Sequence, residues 1–223
     1  MRVLELFSGT ASFSKVAKEY FGYEVFTVEI DSVFEPDLCV DIECLDPKDI
    51  PFTPNIIWAS PPCTTYSVAS FPAGHRDNGR AVSTDAIKAD KLVLKTLEII
   101  KHFSPDYWVI ENPVALLRKM LFMQDIPRYT VTYCQYGATN MKKTDLFGKL
   151  PASFNPRQCK NGDTCHQEAR RGAKTGTQGL DKKDRSRVPF KLCWEILNAI
   201  QKEMALVSKD LDAIENGTYD FGD

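Results

Sequence analysis

No apolar run in the chain approaches the roughly 20 residues that a membrane-spanning helix needs, so no membrane association is expected. The first residues, Met1-Arg2-Val3-Leu4-Glu5, run directly into a strand-like pattern without the long apolar stretch of a secretory signal. A disulfide framework is missing as well. The seven cysteines are odd in number and scattered at positions 39, 44, 63, 134, 159, 165 and 193, a pattern that suits reduced thiols in a cytoplasm. Internal repeats and low-complexity stretches are absent, which removes fibrous readings. What is present is a globular composition, 43% hydrophobic and 26% charged over 223 residues, enough to bury a core in one domain.

The net charge of −2 conceals an asymmetry. Residues 1–60 carry four Lys/Arg against eleven Asp/Glu, whereas residues 142–191 carry thirteen against five. A basic block in an acidic chain is a candidate contact for a polyanion, nucleic acid above all, although a solvated lysine-rich loop has the same composition.

Short apolar strands alternate with helical stretches. Strands are expected at Val3–Phe7, Glu24–Ile30, Asn55–Ala59, Tyr107–Ile110 and about Tyr129–Tyr133, from apolar and β-branched runs. Helices are expected at Ala11–Tyr20, from a Ser83 cap to about His102, over Val114–Phe122, and after Pro189. Repeated strand–helix units predict a mostly parallel, doubly wound α/β sheet. Ligands of such sheets lie beyond the carboxyl ends of the strands. The sequence places Phe7-Ser8-Gly9, Glu29, Asp41, Cys63 and Glu111 there.

Four of these ends carry distinct chemistry. Phe7-Ser8-Gly9-Thr10-Ala11 is a strand–turn–helix junction, where glycine lets the backbone approach a ligand and helix N–H groups can meet an anion. Glu29, ending the next strand, is placed to accept from ribose hydroxyls. Ser60-Pro61-Pro62-Cys63 leaves a strand with its backbone fixed by two prolines, holding a thiol at the open edge. Cys63 is therefore a candidate nucleophile rather than an inert core thiol. Glu111, in Glu111-Asn112-Pro113, adds a carboxyl suited to exchange a proton with a ring nitrogen.

Taken in order, these motifs resemble the DNA cytosine-5 methyltransferases, and the short phage and prophage members in particular. Phe7-x-Gly9 resembles the S-adenosylmethionine turn, Glu29-Ile30 the ribose-binding acid and its neighbour, and Asp41-Ile42 the adenine contact. Pro61-Pro62-Cys63 with Ser67 resembles the nucleophile motif, Glu111-Asn112-Pro113 the proton-donor signature, and Tyr136-Gly137 with Lys142 and Thr144 the motif that follows. Arg185-Ser186-Arg187-Val188-Pro189 resembles the last motif.

The resemblance implies a Rossmann-like fold and methyl transfer from S-adenosylmethionine, leaving S-adenosylhomocysteine. It implies catalysis by Cys63, Glu111 and Lys142, and cofactor contacts from Phe7, Ser8, Gly9, Thr10, Ala11, Glu29, Ile30, Asp41, Ile42, Ser60, Pro61, Ser186 and Val188. The expected partner is double-stranded DNA, held by Ser67, Arg76, Arg80, Arg157, Arg170, Arg171, Lys174 and Gln178. A monomer without an obligate protein partner is expected, in the cytoplasm of a bacterium or a phage-infected host, in genome methylation of the restriction–modification kind. An RNA cytosine-5 methyltransferase and a non-catalytic nucleic-acid-binding relative are the alternatives, and an intact Cys63 and Glu111 argue against the second.

The sequence departs from the family at three places. Ala11 and Ser12 stand where further glycines are usual, and Lys142 and Thr144 where two arginines are usual. Recognition falls to a short segment. The expected division is a catalytic domain over 1–148, a reduced target-recognition segment over 149–184 including the loop-like Thr175–Gly179, and a returning helix over 185–223. The turn-rich stretch Phe71–Arg80 is the expected cover of the site. Within the basic segment, Cys159, Cys165 and His166 have Cys134 or Cys193 as a distant fourth donor. The gap between the two cysteines exceeds the usual two to four residues and the adjacent Cys-His is awkward for one ion, so no metal is expected.

Overall fold

In the computed structural model, residues 1–67, 72–160, 162–167, 184 and 186–216 are described. The elements follow the alternation seen in the sequence: β1 (Arg2–Leu6), α1 (Ser12–Phe21), β2 (Glu24–Glu29), β3 (Leu38–Cys39), β4 (Ile56–Ala59), a hairpin of β5 (Arg76–Asp77) and β6 (Arg80–Ala81), α2 (Thr84–Phe103), β7 (Tyr107–Pro113), β8 (Arg128–Thr132), β9 (Lys143–Lys149) and α3 (Phe190–Glu215). The main sheet has the order β3-β2-β1-β4-β7-β9-β8. Strands β3, β2, β1, β4 and β7 pair in parallel, and β9 runs against both β7 and β8. It is a mostly parallel Rossmann-like α/β sheet.

Side chains that alternate along a central strand point to opposite faces. Val3, Ile56, Trp58 and Val109 face one apolar layer with α1 and α3, through Phe13, Val16, Leu192, Ile196 and Ile200. Leu4, Leu6, Ile57, Ala59 and Ile110 face the other, against Leu92, Val93, Ile99 and Ile100 of α2. Strands covered on both faces read as continuous apolar runs, which is why β1, β4 and β7 are visible in the sequence. Phe13 stacks on Trp58 at 4.5 Å between ring centroids, locking α1 onto the sheet centre. Gly22 closes α1 in the left-handed conformation, and the Ser83 hydroxyl accepts the Ala86 N–H at 3.1 Å to start α2.

Two expectations change. Val114–Phe122 is not an α-helix but two 3-10 turns, Leu117–Lys119 and Leu121–Met123, separated by Met120 in an extended conformation. Tertiary bonds outweigh the helical pattern there: Val114 N–H extends the β7–β9 ladder to Lys143 C=O, and Arg118 is drawn to Asp145 at 2.8 and 2.5 Å. The second change is β7 itself, which runs three residues past Ile110. Its pairing with β4 stops at Ala59↔Ile110, while Glu111, Asn112 and Pro113 continue along β9 opposite Leu146, Asp145 and Thr144. One side of this extension therefore lies open beyond β4, where the Pro61-Pro62-Cys63 loop emerges.

Candidate active site

At the end of β1 the chain turns sharply through left-handed conformations at Phe7 (φ 55°), Gly9 (φ 45°) and Ala11 (φ 52°). Such conformations at non-glycine residues are strained and concentrate at functional sites. Nothing lies within 4 Å of the place a Cβ would occupy on Gly9, so the turn presents bare backbone to open space. The Glu29 carboxylate, ending β2, accepts the Gly9 N–H at 2.9 Å and those of Ile30 and Asp31 at 2.9 and 3.3 Å. It thereby joins the first two strand ends into one rim. Asp41, past β3, accepts the Glu43 N–H at 3.1 Å and is paired with Lys88 of α2 at 2.7 Å. The Lys88 ammonium holds its carboxyl below the usual range.

The amides at the start of α1 are engaged within the protein. Glu5, 3% exposed, accepts the Phe13 and Ser14 N–H groups at 3.4 and 2.8 Å. The expected anion site at this helix start is thus filled by an internal carboxyl, whose pKa burial raises to about 7. Thr10 and Ser12 hydroxyls meet at 3.0 Å, and Ser12 Oγ accepts the Val188 N–H at 3.4 Å. That bond returns the last motif to the first strand end across 176 positions. Ser186 is exposed, Ile30 is 59% exposed, and Ile42 is buried under the rim.

Cys63 stands half-buried in the loop leaving β4, its carbonyl accepting the N–H groups of Tyr66 and Ser67 at 3.0 and 2.9 Å. Two braces hold this loop. Asn112 donates through Nδ2 to Pro61 C=O at 3.1 Å, fixing the two prolines to β7. Tyr66, fully buried, donates its hydroxyl to Asp90 of α2 at 2.6 Å. Arg76 lies over the Tyr66 ring at 4.2 Å, bonds Asp90 at 2.6 Å and donates to Thr65 C=O at 3.1 Å. Desolvation and the Asp90 carboxylate together push the Tyr66 phenol far above its ordinary range.

Glu111, 5% exposed, receives two donors on Oε1: the Tyr133 hydroxyl at 2.7 Å and the Lys142 ammonium at 3.4 Å. Lys142 also sits over the Tyr133 ring at 4.7 Å. Tyr133 is buried, and burial followed by the Glu111 charge raises its pKa, so it is a protonated donor at any ordinary pH. A carboxyl gripped by a phenol and an ammonium, on the strand to which the Cys63 loop is tied, can exchange a proton with a base presented at that edge.

Several expected nucleic-acid contacts are reassigned or lie elsewhere. Arg76 is an internal strut, its side chain 3% exposed and committed to Asp90. Arg157 is engaged by Glu195 of α3 at 2.7 and 2.9 Å and stacks on Tyr136 at 4.5 Å. Arg80, on the β5–β6 hairpin, is exposed, and the Ser67 hydroxyl contacts Thr64 C=O at 3.4 Å. Arg170, Arg171, Lys174, Gln178, the Thr175–Gly179 run, Phe71 and Arg185 lie outside the described residues. The spacing argument against a metal also needs correcting, because Cys134 joins Cys159, Cys165 and His166 within 4.8 Å, while Cys193 is buried elsewhere in α3. Sequence reasoning missed Tyr66, Asp90 and Tyr133, whose roles arise from contacts between distant elements, and Glu5, which acts on the helix that follows it. Asn112 lay inside a quoted motif, but its bond to Pro61 had no local signal.

The model of the C-5 cytosine-specific DNA methylase family matches residues 1–122, which hold the strained turn, the Glu29 rim, the Cys63 loop and Glu111. The chain belongs to that family. It is an enzyme, a DNA (cytosine-5) methyltransferase. Among relatives of this methylase, a protein of Frog virus 3 (isolate Goorha) named "Probable DNA (cytosine-5)-methyltransferase" is 28% identical over 216 residues, covering 89% of this chain and 99% of the relative. A solved Entamoeba histolytica methyltransferase, EhMeth, shares the methylase's fold with a TM-score of 0.52 at 18% identity, over 76% of this chain and 57% of that one. The Schizosaccharomyces pombe Dnmt2 methyltransferase aligns at a TM-score of 0.44 and 17% identity, over 71% and 51% of the two chains. No described helix of the methylase is long and apolar enough to cross a membrane.

Proposed function

We propose that the enzyme methylates C5 of cytosine in double-stranded DNA, taking the methyl group from S-adenosylmethionine through a covalent Cys63 adduct. The observation that carries this reading is the Asn112–Pro61 bond. It ties the loop bearing Cys63 to the strand bearing Glu111, so one flipped base can meet a nucleophile and a proton donor together. Extrusion of the base from the duplex is required for both groups to reach it.

The donor fits the rim. Open backbone at Gly9, the Glu29 carboxylate with lone pairs remaining for ribose hydroxyls, and Asp41 at the third strand end form a donor–acceptor set suited to an adenosine. Phe7, Ser8, Thr10 and Ala11 follow β1, Ser60 and Pro61 follow β4, and Val188 is bonded to Ser12 at the start of α1. When bound, S-adenosylmethionine supplies an electrophilic methyl and leaves as S-adenosylhomocysteine.

Cytosine C5 is too weakly nucleophilic to take that methyl unaided. The Cys63 thiolate forms a bond to C6 while Glu111 delivers a proton to N3, and the C5–C6 π electrons become available at C5. C5 forms its new carbon–carbon bond. A base then removes the C5 proton, the electron pair re-forms the C5–C6 double bond as the C6–sulfur bond breaks, and the N3 proton returns to the Glu111 carboxylate. Tyr133 and Lys142 hold the Glu111 carboxyl in place throughout, and Lys142 is the cation that remains where the family usually has arginine. Residues 149–184 act as a reduced target-recognition segment.

Duplex DNA containing 5-fluorocytosine tests the covalent step, because its C5 substituent cannot leave as a proton. A stable protein–DNA band is expected with the wild-type chain and none with Cys63→Ala. An adduct mapped to another cysteine refutes the assignment. Digestion of treated DNA and RNA to nucleosides should yield 5-methylcytosine from DNA, and product from RNA alone would overturn the DNA substrate.

A further inference from the structure

Cys134, Cys159, Cys165 and His166 have no part in the chemistry above, yet the fold gathers their donor atoms into one cluster. Sγ of Cys134 is 3.1 Å from Sγ of Cys159 and 3.7 Å from Sγ of Cys165. Nδ1 of His166 is 3.7 Å from the Cys159 sulfur and 3.5 Å from the Cys165 sulfur. A tetrahedral ion with Zn–S near 2.3 Å and Zn–N near 2.0 Å has ligand–ligand edges of about 3.5 to 3.8 Å. Three of the four measured edges fall in that range. The fourth is shorter, yet well outside S–S bonding distance, which is near 2.05 Å.

We propose that these four side chains bind one Zn²⁺ in a closed Cys₃His site. Three thiolates and an imidazole in tetrahedral array are the donor set that selects zinc for a structural role. The polar surroundings suit such a site. Gln135 Nε2 donates to the Cys165 sulfur at 3.2 Å, an outer-shell bond of the kind that supports a thiolate ligand. The backbone is shaped for convergence. Cys159 N–H bonds Thr132 Oγ1 at 2.9 Å, which seats this cysteine against β8. Lys160 N–H bonds Asp163 Oδ2 at 2.7 Å, and the Cys165 sulfur lies within 4.8 Å of the Cys159 sulfur. Gln167 N–H to Thr139 C=O at 2.9 Å then holds the end of the loop. Cys159 and Cys165 meet despite the five-residue gap between them in sequence, and the fourth donor comes from Cys134.

The placement assigns the ion a role. Cys134 lies in the 3-10 turn that follows β8, next to Tyr133, which grips Glu111. The other three ligands belong to the basic segment, which has few apolar side chains with which to build a core. Zinc would fasten that segment to the sheet edge beside the catalytic carboxyl, replacing the missing hydrophobic packing with four bonds. The metal site itself does not depend on the substrate proposed above.

The test is elemental analysis of the full-length protein expressed with zinc and purified under reducing conditions without chelator. One zinc per chain is expected, bound tightly enough to survive gel filtration. Cobalt substituted for it should give the visible absorption of tetrahedral thiolate coordination. Cys165→Ser and His166→Ala, in the more exposed half of the cluster, should each lower metal content to well under half, whereas Cys193→Ser and Cys39→Ser should retain it. Less than about a tenth of an equivalent in the wild type, or unchanged content in both ligand variants, overturns the site. So does a Cys134–Cys159 disulfide found by mass spectrometry in the zinc-loaded preparation. Covalent trapping on 5-fluorocytosine, run on the same samples, separates failure of the metal site from failure of the catalytic reading.

Discussion

The Glu111 carboxyl depends on a phenol that no motif in the sequence advertises. Tyr133 is the nearer of its two donors, at 2.7 Å against 3.4 Å for Lys142. Tyr133→Phe removes one hydrogen bond to a buried carboxyl while keeping the ring on which Lys142 rests. The expected outcome is a fall in kcat with little change in cofactor affinity. Glu111→Gln, unable to give a proton to N3, should lose a hundredfold or more, the scale of general acid–base contributions. Single-turnover methylation rates alongside calorimetric titration of S-adenosylmethionine check both; near-wild-type turnover in Glu111→Gln would remove the proton-donor role. Glu5 makes a second prediction at this scale. Its carboxyl pKa rises from an ordinary 4.5 to about 7 on folding, through burial. The folded state therefore binds this proton more tightly than the unfolded one. Stability from that proton is fully present below pH 4.5 and is lost as pH rises through about 7. Against Glu5→Gln, the wild-type protein should lose on the order of 3 kcal/mol between these limits, since each pKa unit is worth about 1.4 kcal/mol. Urea titrations across that range measure the difference, and parallel pH dependence in the two proteins would show that Glu5 does not titrate in the window.

At the scale of elements, β9 is the strand that positions the site and the one that sequence reading missed. Lys143-Thr144-Asp145-Leu146-Phe147-Gly148-Lys149 has only two large apolar residues, and its buried Asp145 is satisfied by partners far away in the chain, Arg118 and Thr130. Strands β1, β4 and β7 were legible because burial on both faces demands apolar runs, a property of the strand alone. β9 was not, because what makes it a strand is its two neighbours. The same reason explains 114–122, where a helical pattern yields to β9 contacts, and the cysteine cluster, whose fourth ligand sits across a sheet edge. Cys63 and Glu111 were readable because their local frames, Pro-Pro and Asn-Pro, lie beside them in sequence; Tyr133 and Asp90 act from other elements and carried no such mark. Gly148 gives the element its sharpest test. At φ +138° it faces Trp108 so closely that an added Cβ would collide with the Trp108 carbonyl and ring. Gly148→Ala should separate β9 from β7, opposite the register that pairs Glu111 with Leu146. A loss of several kcal/mol is expected, at the upper end for single substitutions. Thermal unfolding of the variant, with Gly162→Ala on the outer loop as a milder comparison, decides whether that approach is as tight as the backbone implies.

The whole molecule is small for what it must read. The sheet and the proposed catalytic groups lie within residues up to about 149, and α3 returns to cover one face through Leu192, Ile196 and Ile200. That leaves a short basic stretch for recognition, and part of it is already committed: Arg157 to Glu195, and Cys159 to the sulfur cluster. Direct readout of a base pair takes a side chain placed in the major groove, and each good bidentate pair contributes roughly 1–3 kcal/mol of discrimination. Few side chains remain to make such pairs, whereas lysines and arginines over 142–191 outnumber acids thirteen to five. Affinity should therefore come largely from phosphates, and binding should weaken steeply with salt, because releasing counterions gains less free energy as the bulk salt concentration rises. Specificity should be short, on the order of two to three base pairs including the target cytosine, because phosphate contacts position without reading sequence. Sequencing methylated positions on a random plasmid, at two salt concentrations, measures both. A long and strictly observed site made by the isolated chain would show that this segment reads far more than its free side chains can supply.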